Sequence, residues 1–116
     1  MKITGIHYKV LDGAYDGDSL GHLLMAVTVH PREGEPFEAQ PETSVQETST
    51  AVLDLLRADL IELWRDGEDG PLPRQEAEAV ALDPASWVPP LCWNFEASPT
   101  AGGEAALIAS TPKPAQ

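Results

Sequence analysis

Three acidic side chains near the start of the chain have the spacing of a cation-binding loop. Asp12, Asp16 and Asp18 take the first, fifth and seventh places of a loop frame whose sixth place is Gly17, the order in which an EF-hand presents oxygens to calcium. Ala14 and Leu23 stand where that frame needs carboxylates, so the stretch reads instead as a capped acidic turn. His7, His22 and His30 are too scattered for a zinc pattern, and the single cysteine, Cys92, adds one soft ligand at most. No Gly-x-Ser-x-Gly elbow occurs and Cys92 has no local partner motif, so nucleophilic catalysis has no visible machinery. Gly102-Gly103 lacks the Lys-Ser/Thr of a phosphate loop, and Gly13, Gly17 and Gly21 have acidic neighbours that repel phosphate. No catalytic residue, metal or cofactor is expected from these patterns.

The chemistry that the residue types favour is electrostatic. The chain has 116 residues, nineteen of them acidic and seven basic, for a net charge of −12. Between Glu33 and Asp69 eleven carboxylates face only Arg57 and Arg65. Nucleic-acid affinity comes mainly from Lys and Arg neutralising phosphates, so this field disfavours nucleic acid and favours solubility and basic partners. The hydrophobic share of 42% against 22% charged residues is that of a folded protein, and the length suits one modest core. One cysteine cannot form an internal disulfide, and Cys92, between Leu91 and Trp93, is expected to be buried. With no basic segment leading an apolar run and no apolar stretch near the ~18 residues that span a bilayer, no membrane role and a cytoplasmic location are expected.

The elements that must position these groups follow from periodicity. Ile6, Tyr8 and Val10 alternate with His7 and Lys9, which predicts a strand over Lys2–Leu11, ended by the turn residues Asp12–Ser19. Leu20, Leu23, Leu24 and Val27 fall at helical spacing, predicting a helix over Leu20–His30 with Asp18 or Ser19 as its cap. Pro31–Glu42, with three prolines and four glutamates, reads as a loop. Ser44 and Glu47 have capping-box spacing, and Val45, Val52, Leu53, Leu56 and Leu60 recur on one face, so Ser44–Leu60 is predicted as the longest helix. Ile61 and Leu63 then alternate with Glu62 and Trp64 as a strand, ended by "DGEDGP" as a hairpin tip or loop. Pro73 opens a further helix with Ala77, Val80 and Ala81 inward, and "DPASWVPP" closes it. Trp93, Phe95 and Ala97 alternate as a last strand. "EAALIAS" fits helix or strand, and residues 111–116 are expected to form a flexible tail beyond a single domain of residues 1–110.

The run "TSTAVLDLLRADLIELWRDGE", a long amphipathic helix passing into a strand, resembles the recognition helix and first wing strand of winged helix-turn-helix domains. Within it "LLRADLIEL", Leu55–Leu63, takes the place of the family's helix-to-strand step, with Asp59 where a glycine is usual. "FEASPTAGGEAAL", Phe95–Leu107, is similar to the second wing strand followed by a Thr-Pro-Gly type turn into a closing helix, although Ser98-Pro99-Thr100 departs from the usual order. The resemblance covers about half of the chain. It implies a small α+β domain with a winged-helix-like core, three to four helices and a small antiparallel sheet.

Fold does not establish function. A DNA-reading helix presents Arg, Lys, Asn or Gln to bases and phosphates. This one offers Gln46 and Arg57 beside Glu47, Asp54 and Asp59, and the wing tip carries Asp66, Glu68 and Asp69. The expected function is therefore a non-catalytic, acidic protein-binding factor of accessory, inhibitory or immunity type, its carboxylates imitating nucleic acid toward a basic protein partner. The candidate partner-binding residues are Asp59, Glu62, Asp66, Glu68 and Asp69. Trp87 and Trp93 join them if "SWVPPLCW" is an exposed hot spot rather than core packing. The alternatives are a winged-helix DNA-binding regulator, as a homodimer gathering its few basic residues on one face, and an enzyme or ligand-binding domain whose site is assembled from residues distant in sequence.

Overall fold

A computed structural model describes residues 1–27 and 42–110, with the side chains of residues 42 and 43 excepted. In chain order the elements are α1 (Gly5–Tyr15), α2 (Leu20–Val27), α3 (Glu42–Arg57), β1 (Ile61–Arg65), α4 (Arg74–Leu82), two 3-10 turns (Pro84–Trp87 and Leu91–Trp93), β2 (Phe95–Pro99) and α5 (Ala101–Ser110). The protein is a small α+β domain whose described residues form five α-helices, more than the three to four expected, and one two-stranded antiparallel sheet.

The first element is a helix, not a strand. The alternation of Ile6, Tyr8 and Val10 is too short to decide the period; the buried positions His7, Val10, Leu11 and Ala14 lie at helical spacing. A capping box starts the helix, with histidine in the place usually held by Glu or Gln. The Thr4 hydroxyl accepts from the His7 backbone N–H, and the Thr4 N–H donates to His7 Nδ1 at 3.0 Å. The same helix ends inside the stretch that has a calcium-loop frame. Gly17, at φ +74, takes the left-handed position, with Asp18 N–H donating to the Gly13 carbonyl and Gly17 N–H to that of Ala14. That is a Schellman motif, the capped acidic turn in another setting: Asp12 is helical and Asp16–Asp18 form the cap.

Helix α2 begins at Leu20 as its apolar spacing predicts and runs to Val27; residues 28–30 of the predicted helix, and the predicted loop from Pro31 to residue 41, lie outside the described residues. Helix α3 is the longest of the described helices, and Val52, Leu53 and Leu56 are buried with Leu60 half-buried. It starts at Glu42 rather than at a Ser44 cap. Ser44 is already helical, and its carbonyl accepts from the Thr48 hydroxyl at 2.6 Å. The helix stops at Arg57 in a second Schellman motif, with Asp59 at φ +58, Leu60 N–H donating to the Leu55 carbonyl and Asp59 N–H to that of Leu56.

In the sheet Leu63 pairs with Ala97 and Arg65 with Phe95. Ile61, Leu63, Phe95 and Ala97 face the core, while Trp64 lies on the other side, donating from Nε1 to the Ser98 hydroxyl at 2.7 Å. "DGEDGP" is a loop and not a hairpin tip, because α4 and both 3-10 turns intervene before β2. Trp93, expected in the last strand, sits in the second 3-10 turn. A single bridge between Ser19 and Glu96 sets the start of α2 beside β2.

"EAALIAS" is helical, and the preceding turn locks α5 onto the α3–β1 junction. Thr100 N–H donates to the Leu60 carbonyl at 3.0 Å, its hydroxyl donates to the Asp59 carbonyl at 2.5 Å, and Gly103 N–H donates to that hydroxyl at 3.1 Å. A Cβ on Gly103 would lie 1.8 Å from the Leu60 carbonyl oxygen, so this approach needs glycine. The core joins Val10, Leu11, Leu20, Leu23, Leu24, Val52, Leu55 and Leu56 to the inner face of the sheet.

Candidate partner surface

The five carboxylates expected to form one patch are distributed along β1. Asp59 and Glu62 lie at its start, and Asp66, Glu68 and Asp69 at its end, in a turn with Gly67 at φ +84. Three strand residues, Leu63, Trp64 and Arg65, stand between Glu62 and Asp66, a separation of roughly 13 Å along the strand. Asp66 N–H donates to the Asn94 carbonyl at 2.8 Å and Glu68 N–H to that of Arg65 at 3.1 Å, which fixes the turn while its side chains stay exposed.

The arginines in this region are engaged by carboxylates. Arg57 bonds Glu78 at 2.7 Å, Arg74 bonds Asp59, and Arg65 divides its guanidinium between Glu76 at 2.9 Å and Glu68 at 3.0 Å. Hydrogen bonds to Glu76 and then Glu68 raise the Arg65 pKa above its ordinary value, and its guanidinium also lies over the Phe95 ring at 5.7 Å. Among the described residues no cation pairs with Glu62, Asp66 or Asp69.

The two tryptophans part company. Trp87 is 1% exposed and donates from Nε1 to the Ala81 carbonyl at 2.9 Å, where the Ser49 hydroxyl also donates at 2.5 Å. Both bonds satisfy a carbonyl in the last turn of α4, where helical acceptors lack intrahelical partners. The prolines around Trp87 do not hold it out in solvent, so it is a core residue and leaves the candidate surface. Trp93 is 40% exposed, its ring centroid 5.2 Å from that of His22 and its edge lying on Gly21. Cys92 between them is buried.

A further site was not foreseen from sequence. His7, 6% exposed, bonds Asp54 Oδ2 through Nε2 at 3.0 Å, which ties the start of α1 to α3. Because Nδ1 accepts the Thr4 N–H, the imidazole proton sits on Nε2 and Asp54 accepts it. Beside this pair runs a groove of about 310 Å³ lined by Thr4, Ile6, His7, Gln46, Glu47, Thr50, Ala51 and Asp54. The available signals were the Thr-x-x-His spacing and Asp54 on the polar side of α3, and neither points to the other across the chain.

Among the described residues no three His, Cys, Asp or Glu side chains gather to hold a metal ion, and no helix is long and apolar enough to cross a membrane. No family model, curated protein or solved structure matches the chain.

Proposed function

We propose that this is a winged-helix-like protein that acts by binding a basic protein partner through its carboxylates, without catalysis. The observation that carries the reading is the ion pairing. Arg57, Arg65 and Arg74, three cations around the helix-to-strand step, are held by the protein's own carboxylates, so gripping phosphate with them would first mean breaking those pairs. The polar side of α3 presents Glu47 and Asp54 beside Gln46, Thr50 and Arg57. On a recognition helix these carboxylates would meet a phosphate backbone with like charge.

The winged-helix part of the reading is supported by element order and by one junction. Helices α1, α2 and α3 precede β1 and β2, and the start of α2 bridges to β2. Asp59, where the resemblance has a glycine, has a left-handed conformation, and Thr100 to Gly103 close over it. The α4 segment between the strands is an insertion relative to a simple wing.

The test is retention on the immobilised full chain from a native extract at low and high salt, with a random DNA duplex assayed in parallel. The expected outcome is a basic protein retained at low salt and released at high salt, with no duplex bound at physiological ionic strength. A salt-sensitive, sub-micromolar duplex complex would instead establish the DNA-binding reading.

A further inference from the structure

We propose that the groove between the start of α1 and the polar side of α3 receives two basic side chains of the protein partner. This rests on the reading of a basic partner and names where on the surface it docks. The groove has the parts that such side chains need. Ile6 and Ala51 supply an apolar floor, and Thr50 lies between two carboxylates, Glu47 and Asp54. Those carboxylates stand seven residues apart on one helix face, about 10 Å along its axis. An arginine or lysine lays its methylene stem on apolar surface and carries its charge to a polar rim, which is the arrangement found here.

The groove's own lining favours a cation. No lysine or arginine is part of it, Lys2 and Arg57 lying on the other side of His7 and Asp54, and the whole chain carries −12. Asp54 is also oriented in advance. The His7 Nε2–H occupies Oδ2, which holds the carboxylate in one rotamer and leaves Oδ1 for an incoming donor, so less side-chain entropy is lost on binding. Glu47 is exposed and lies about two turns before Asp54. The spacing matches two cations about 10 Å apart on the partner, as at i and i+7 of a helix.

The groove can be tested without knowing the natural partner. The probe is a helical alanine-glutamine peptide with two arginines at i and i+7, titrated at low salt into the isotope-labelled full chain and followed by NMR. Matched peptides carry one arginine or two glutamates in the same places. We expect shift changes centred on Ile6, Thr50, Ala51 and Asp54, weaker binding of the one-arginine peptide and none of the glutamate peptide. Glu47→Gln and Asp54→Asn should each weaken binding by about tenfold, the worth of one charge-assisted hydrogen bond. Asp54→Asn keeps an acceptor for His7, and its unchanged spectrum elsewhere will show that the fold is intact. Thr50→Phe, which fills the groove without changing charge, should abolish binding. If Thr50→Phe binds normally and only Lys substitutions at Asp66, Glu68 and Asp69 weaken the complex, the groove is wrong while the basic-partner reading stands. If the two-arginine peptide binds no better than the glutamate peptide, both fall.

Discussion

Helices α1 and α2 open on the same four-residue pattern, Thr4-Gly5-Ile6-His7 and Ser19-Leu20-Gly21-His22, yet the two histidines have different work. In both, the hydroxyl of the first residue accepts from the backbone N–H of the histidine, at 3.4 Å in α1 and 3.3 Å in α2, and Nδ1 lies within 2.9 and 2.7 Å of that hydroxyl. The difference is on the far side of the ring. His7 is buried and reaches Asp54, 47 residues away, whereas His22 is exposed and lies against Trp93. Local sequence sets the cap; what the tertiary fold places at Nε2 decides whether the histidine also joins two helices.

The largest effect should come from breaking the buried member of this pair. His7→Ala removes a packed ring, strands Thr4 N–H and leaves Asp54 without its donor, so we expect a loss of about 2 to 4 kcal/mol, measured by urea unfolding. Asp54→Asn, which still accepts from Nε2–H, should cost less than about 1 kcal/mol. A double-mutant cycle of His7→Ala with Asp54→Ala should show coupling of at least about 0.5 kcal/mol. Additive losses would mean that the histidine acts only through its cap.

The exposed member is sharpened at its ring contact. A Cβ on Gly21 would lie 2.4 Å from Trp93 Cζ3, so Gly21→Ala must push the indole off α2. Trp93 is half-exposed and can move, which should hold the cost to about 1 to 2 kcal/mol and alter tryptophan fluorescence. His22→Ala keeps the Ser19 cap and should cost below about 1 kcal/mol. A loss equal to that of His7→Ala would erase the distinction between the two helix starts.

The same division explains what was legible in the sequence. Helix α3 and strand β1 have apolar positions that recur on one side along most of their length, and the helix opened by Pro73 buries Ala77 and Ala81 with Val80 half-buried, so period and burial agree. In helix α1 three alternating residues, Ile6, Tyr8 and Val10, mask the longer register of His7, Val10, Leu11 and Ala14. Its histidine reads as polar in sequence but is buried by a partner on α3. Ser44 and Glu47 matched a capping box that the backbone does not use, since a cap requires a non-helical serine and Ser44 lies inside α3. Asp59 takes a left-handed conformation, φ +58, in the turn after α3, which periodicity does not indicate. The pairing of Asp59 with Arg74 and of Asp54 with His7 joins separate elements, and spacing along one element carries no trace of either.

The carboxylates of the turn after β1 are the extreme opposite of Asp54. Asp66, Glu68 and Asp69 are exposed, and of the three only Glu68 bonds a described cation, Arg65, which Glu76 also holds. Replacing all three with lysine loses one exposed pair, of the kind that contributes little to stability, and relieves repulsion among the carboxylates. The turn itself is fixed by backbone bonds from Asp66 and Glu68, which the substitutions leave in place. Stability should therefore change by less than about 1 kcal/mol, the smallest effect predicted here. Association should respond differently, because exposed charges act over roughly 10 Å at moderate salt and set encounter rates more than dissociation rates. With a basic partner captured from the extract, the triple variant should associate several-fold more slowly at low salt and show little change in dissociation rate. A change confined to dissociation would place this turn inside the contact, and unchanged rates would leave the groove beside Asp54 as the place where the partner's charge is met.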